Sequence, residues 1–142
     1  MKSPVISSPS SAIAYPAPTL QRAKVALKAS AFCLPLFTAM REKSIPLPMI
    51  ANYNGLNAGY TEKILSERRV EADLMWLIQV GLLRREVDGQ GITDSFRLTP
   101  MGKYLINQWE QQGPTWTKLN LKDRLFNRLQ RWLSQYFKLF SI

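Results

Sequence analysis

The stretch that most constrains the fold is "VGLLRREVDGQGITDSFRLTPMGKYL", residues 80–105. Gly81 suits the position just past a helix end, where a left-handed backbone carries no Cβ penalty. "LLRREV" and "TDSFRL" then read as two short strands, joined through "DGQG", whose residues tolerate positive φ. Phe96 and Leu98 point to one face of this hairpin, and Ser95 and Arg97 to the other. Thr99 is an apt N-cap and Pro100 an apt first helical residue. Met101, Tyr104, Leu105 and Trp109 follow with the spacing of a buried helical stripe. Gly113-Pro114 closes that helix.

Upstream, residues 20–43 read as helical and alanine-rich, with Pro35 predicting a kink or break near Leu34. "SIPLPMIANYNGL" reads as a turn with two prolines and a short helix that stops at Asn54-Gly55. A longer helix is expected from about Tyr60 to Val80. On it Val70, Leu74, Leu77 and Ile78 share the core face, while Arg69, Asp73 and Trp76 lie opposite. Trp76 has two readings there: packing under the first or last helix, or an interface anchor.

The resulting order resembles a winged helix-turn-helix domain of the PadR- and MarR-like kind, over about residues 45–110. The resemblance rests on Leu74, Leu77, Gly81, Leu82 and Leu83, then on Phe96, Arg97, Leu98, Thr99, Gly102 and Leu105. Between Ile50 and Gly81 the chain is longer than the usual helix pair, which blurs the start of the third helix. The expected fold is mainly α with a two-stranded β wing and a C-terminal amphipathic helix. Its divisions are a disordered tail over 1–19, a winged-helix domain over 20–114 and a basic helix over 115–142.

Composition narrows the chemistry. With no histidine and the single Cys33, the chain offers no Cys/His metal site, no histidine base and no disulfide framework. No carboxylate pair stands in a recognisable catalytic setting. A non-enzyme without metal or cofactor is therefore expected. The lone cysteine fits a reducing, cytoplasmic location. No run is long and uncharged enough to span a bilayer. The N-terminal Ser/Pro/Ala-rich stretch has the character of a loose tail rather than a transit peptide.

The net charge of +9 is unevenly placed. Residues 1–44 and 117–142 each carry six basic residues and one acid, a net +5 apiece, whereas 45–116 carries seven basic and eight acidic residues, a net −1. What the resemblance implies is a dimeric, DNA-binding transcriptional regulator. Lys63, Arg68 and Arg69 would lie on its recognition helix, and Arg84, Arg85 and Arg97 around the wing. Glu62, Glu67, Glu71, Asp73, Glu86 and Asp88 lie among them, so solvated surface pairs are the competing reading.

The C-terminal "TKLNLKDRLFNRLQRWLSQYFKLFSI" is a basic amphipathic helix. Leu125, Leu129, Trp132, Tyr136, Phe137 and Phe140 fall within an apolar arc of about 160° at 3.6 residues per turn, opposite Arg124, Arg128 and Arg131. Three roles compete for it. They are burial against a second chain or the first helix, binding at an anionic membrane surface, and nucleic-acid backbone binding by its basic side. The alternative function is thus a winged-helix adaptor that binds protein and is held peripherally at a membrane by this helix.

Overall fold

The computed structural model describes residues 15–113, 116 and 121–140, with side chains of the last helix described over 125–134. The chain is mainly helical with a small three-stranded antiparallel sheet. Helix α1 (Ala17–Lys28) starts behind Pro16, with a second proline in its first turn, where a missing N–H is harmless. It buries Ala23, Ala26 and Leu27 at helical spacing. Residues 17–19, expected in the tail, belong to this helix; residues 1–14 lie outside the described residues.

Pro35 does not kink a continuous helix. It sits in the first turn of a new one, α2 (Leu34–Glu42), which buries Leu36, Phe37 and Met40. The link between α1 and α2 is tied by a bridge between Phe32 and Thr61, and the Cys33 N–H donates to the Tyr60 carbonyl at 2.8 Å.

Strand β1 (Ile45–Pro46) is a departure from the two-stranded expectation. Ile45 pairs with Phe96 and Pro46 with Ser95, so the strand order is β1–β3–β2. A two-residue strand containing proline has no readable period, and it is tolerated because an edge strand leaves one row of donors unused. Next come α3 (Leu47–Ile50) and α4 (Asn52–Asn57). Asn52 adopts φ 57°, and its N–H donates to the Leu65 carbonyl at 2.7 Å. Asparagine is among the few residues that visit this region at modest strain.

Helix α5 (Glu67–Gln79) begins seven residues later than the apolar pattern suggested. Thr61, 3 % exposed, buries itself in non-helical backbone and donates to the Lys63 carbonyl. Ser66 then starts the helix, its hydroxyl accepting from the Arg69 N–H at 3.2 Å. At the other end Gly81 (φ 91°) makes a Schellman turn, with the Leu82 N–H on the Leu77 carbonyl and the Gly81 N–H on that of Ile78.

Strands β2 (Leu83–Asp88) and β3 (Gly91–Leu98) form the hairpin, with a register shift between Arg85 and Val87. Thr99 caps α6 (Pro100–Gln112) by accepting from the Gly102 N–H at 3.0 Å, and its hydroxyl donates to the Gly81 carbonyl. A Cβ on Gly102 would stand 2.3 Å from the Leu82 carbonyl oxygen. The "LTPMG" phrase thus clamps the hairpin and α6 onto the end of α5.

The core joins Phe37, Met40, Ile50, Leu74, Leu82, Phe96 and Leu105. Trp116 closes it, stacked on Trp109 with ring centroids 5.3 Å apart. Arg41 ties α2 to α6 through Glu110 and Asn107. The hydrogen bond from Arg41 holds the Glu110 carboxyl below its ordinary range. A depressed carboxylate stabilises the fold above its unfolded pKa, and that contribution is lost as pH falls through the folded value. Acid titration of Arg41→Gln should therefore show a smaller loss of stability below the ordinary carboxylate range than the parent shows.

Helix α7 (Leu121–Phe140) runs beside α1 and α5. No helix among the described residues is long and apolar enough to cross a membrane.

Candidate functional site

Two surfaces carry the residues singled out in the sequence: the face formed by α5 and the hairpin, and helix α7. The first holds all six basic candidates, and the fold treats them unequally. Lys63 is exposed in the turn before α5 rather than on it, Arg68 is exposed in the first turn of α5, and Arg84 is exposed at the start of β2. None of these three forms an ion pair among the described residues.

The other three arginines are engaged within the protein. Arg69 reaches Asp73 one turn along α5, Nε to Oδ2 at 2.9 Å. Arg85 lies with its guanidinium 4.9 Å from the Phe96 ring centroid, donates to the Thr93 carbonyl at 3.1 Å and has Glu71 within 3.8 Å. Arg97 pairs across the hairpin with Glu86 at 3.0 Å. Arg84 is the register partner of Arg97, which brings Glu86, two residues along β2, within reach of it.

At the hairpin end Val87 and Ile92 are cross-strand partners, 61 % and 74 % exposed. Beside them the Asp88 carboxylate accepts from the Gln90 N–H at 2.7 Å, fixing the turn. Met49, Tyr53 and Ile64, on α3, α4 and the turn before α5, are also largely exposed. Their exposure was not legible from periodicity, since each lies in a segment too short to show a period.

Trp76 and Asp73 lie opposite the core stripe and are both 6 % exposed, and Trp76 packs under the last helix, one of its two expected readings. Their cover is α7. The Trp76 Nε1–H donates to the Asn127 Oδ1 at 3.3 Å, and Gln79 bonds Ser134. Arg131 Nη2 donates to Asp73 Oδ1 at 2.7 Å, so one carboxylate holds Arg69 of α5 and Arg131 of α7 together. Arg131 is thus a docking residue, not a free cation. Asp73→Ala is expected to loosen α7 by about 1.5–3 kcal/mol, the range for a hydrogen bond to a charged group. Amide exchange should accelerate over 121–140 while α5 stays protected.

The apolar stripe of α7 is not packed against α1. Leu125, Phe126, Leu129 and Trp132 are 51–58 % exposed, and Leu133 is 36 % exposed. Arg128 is exposed as well. Arg124, Tyr136, Phe137 and Phe140 lie on α7 outside the described side chains. The expectation of burial against the first helix is therefore corrected: the polar side of α7 docks, because the buried Asp73 and Trp76 need polar partners there.

Among the described residues, no group of His, Cys, Asp or Glu is arranged to hold a metal ion. Burial raises the Cys33 thiol, with Glu62 adding to the effect, so the sulfur is held in its less reactive protonated form. Fold and surface together define a mainly helical protein with a helix-and-hairpin face and a second, amphipathic helical surface beside it. The chain belongs to the Npun_F0494-like family, whose model matches residues 13–131. That span takes in α1 and the docking part of α7 up to Arg131. No curated protein and no solved structure matches the chain.

Proposed function

We propose that the chain is a non-catalytic winged-helix module whose α5-and-hairpin face binds a protein partner. Support for the winged-helix architecture comes from the order α2, β1, α3 and α4, α5, β2, β3, with β1 pairing the returning strand of the hairpin. Such a fold does not choose between DNA and protein.

The observation that carries the protein reading is the hairpin. Its arginines Arg85 and Arg97 turn onto the protein's own groups, while its end presents Val87 and Ile92 beside Asp88. A wing that follows a duplex would direct its cations at phosphates instead. An exposed β-branched pair rimmed by charge suits an apolar depression on another protein. A photo-crosslinking residue at position 92 of the full chain should trap a discrete protein partner in cells. Adducts to nucleic acid from that position would contradict the reading.

A second reading, sequence-specific binding of double-stranded DNA, draws on Lys63, Arg68 and Arg84, which remain exposed. It requires that Arg68→Ala with Arg69→Ala weaken binding to a preferred duplex.

A further inference from the structure

We propose that α7, together with the adjoining α1, is a docking surface for an anionic lipid bilayer. The proposal does not depend on what the hairpin binds.

The first observation is the way α7 is attached. Asn127, Arg131 and Ser134 face the body, bonded to Trp76, Asp73 and Gln79. At 100° per residue these three positions centre about 180° from the stripe of Leu125, Phe126, Leu129, Trp132 and Leu133. The helix is therefore held by its polar side, and its apolar side faces outward with a tryptophan in it. An interfacial helix lying flat has this geometry, its apolar stripe sinking to the boundary between headgroups and acyl chains.

The second observation is charge. Helix α1 packs along α7, which sets two helices of basic sequence side by side. Helix α1 carries Arg22, Lys24 and Lys28 without an acid, and residues 117–142 carry six basic residues and one acid, of which Arg131 is already paired with Asp73. The rest of the chain, residues 1–16 and 29–116, carries ten basic and nine acidic residues, a net +1, so the positive charge of the sequence is concentrated in α1 and the C-terminal segment. Each basic residue near an anionic bilayer contributes about 1 kcal/mol of attraction, screened by salt.

Charge also decides among occupants of the apolar stripe. A second copy docking α7 on α7 would bring two basic helices together, and like charges oppose that contact. A nucleic acid would satisfy the charge but leave the apolar stripe in water. Anionic lipid answers both features.

The test is sedimentation of the full-length protein with vesicles of phosphatidylcholine alone and of phosphatidylcholine with about a third phosphatidylserine, at near-physiological salt. The protein should pellet with the phosphatidylserine vesicles and not with the neutral ones. Tryptophan emission should shift to the blue. Leu129→Gln with Leu133→Gln should weaken that binding by about tenfold or more, since part of the inserting area is lost. Because these side chains stand outside the core, the double variant should keep the parent's far-UV spectrum and melting temperature. Arg128→Gln should weaken binding more at low salt than at high. Equal affinity for neutral and anionic vesicles, or no binding to either, overturns the proposal. So does a dimer in solution that the double variant converts to monomer, which would make a second copy the occupant.

Discussion

Phe96→Ala is expected to lower the unfolding free energy by about 3–5 kcal/mol, the usual range for deleting a fully buried aromatic ring. Phe96 is 0 % exposed on the central strand, paired with Ile45 on one side and Arg85 on the other. Truncation would therefore leave a cavity and also remove the surface against which the Arg85 guanidinium rests. Since domains of this size are stable by only about 5–15 kcal/mol, the variant should melt far below the parent. Chemical denaturation followed by tryptophan fluorescence reads the change. Amide exchange should report looser hairpin strands even under conditions where the variant remains folded.

Gly55→Ala is expected to be comparably damaging for the opposite reason. A Cβ there would stand 1.8 Å from the Ile50 carbonyl oxygen and 2.7 Å from its carbon. Both are backbone atoms, so relief requires moving α3 against α4 rather than turning a side chain. Overpacking of this sort costs about 1–3 kcal/mol and more when the obstacle is rigid. The expected signs are a lower denaturation midpoint and faster exchange of the Asn52 amide. That amide, bonded to the Leu65 carbonyl, lies between Ile50 and Gly55 in the chain, where the displacement would fall.

These two positions also illustrate what was legible in the sequence. Phe96 belongs to the phrase around residues 96–105, where every structural role is local. Alternation sets the strand face, Thr99 caps, Pro100 starts the helix, and Gly102 admits the Leu82 carbonyl. Gly55 instead read only as a helix stop, because its partner carbonyl lies in α3, a separate helix just upstream. Strand β1 was missed for a similar reason: its pairing is carried by Phe96 and Ser95, about fifty residues away.

The site was less legible than the fold. Periodicity distinguishes the two sides of α5 and of α7 but does not say which side meets a neighbour. Trp76 and Asp73 lay off the core stripe of α5, yet both are buried because Asn127 and Arg131 arrive from α7. The same event turns the apolar side of α7 outward. Arg85 and Arg97 looked like phosphate ligands from their place in the hairpin. Their engagement with Thr93 and Glu86 follows from the strand register, which spacing alone does not set.

The central functional claim is that the α5-and-hairpin face recognises protein rather than a DNA sequence. The most direct measurement is a selection from random DNA duplexes by the full-length protein at near-physiological salt, repeated at higher salt. The basic ends will retain duplexes without regard to sequence, and that retention should collapse as salt rises. The expected result is that no motif becomes enriched and that Arg68→Ala changes nothing. An enriched motif, above all one with two half-sites, that disappears with Arg68→Ala would contradict the claim and make α5 a DNA-reading helix.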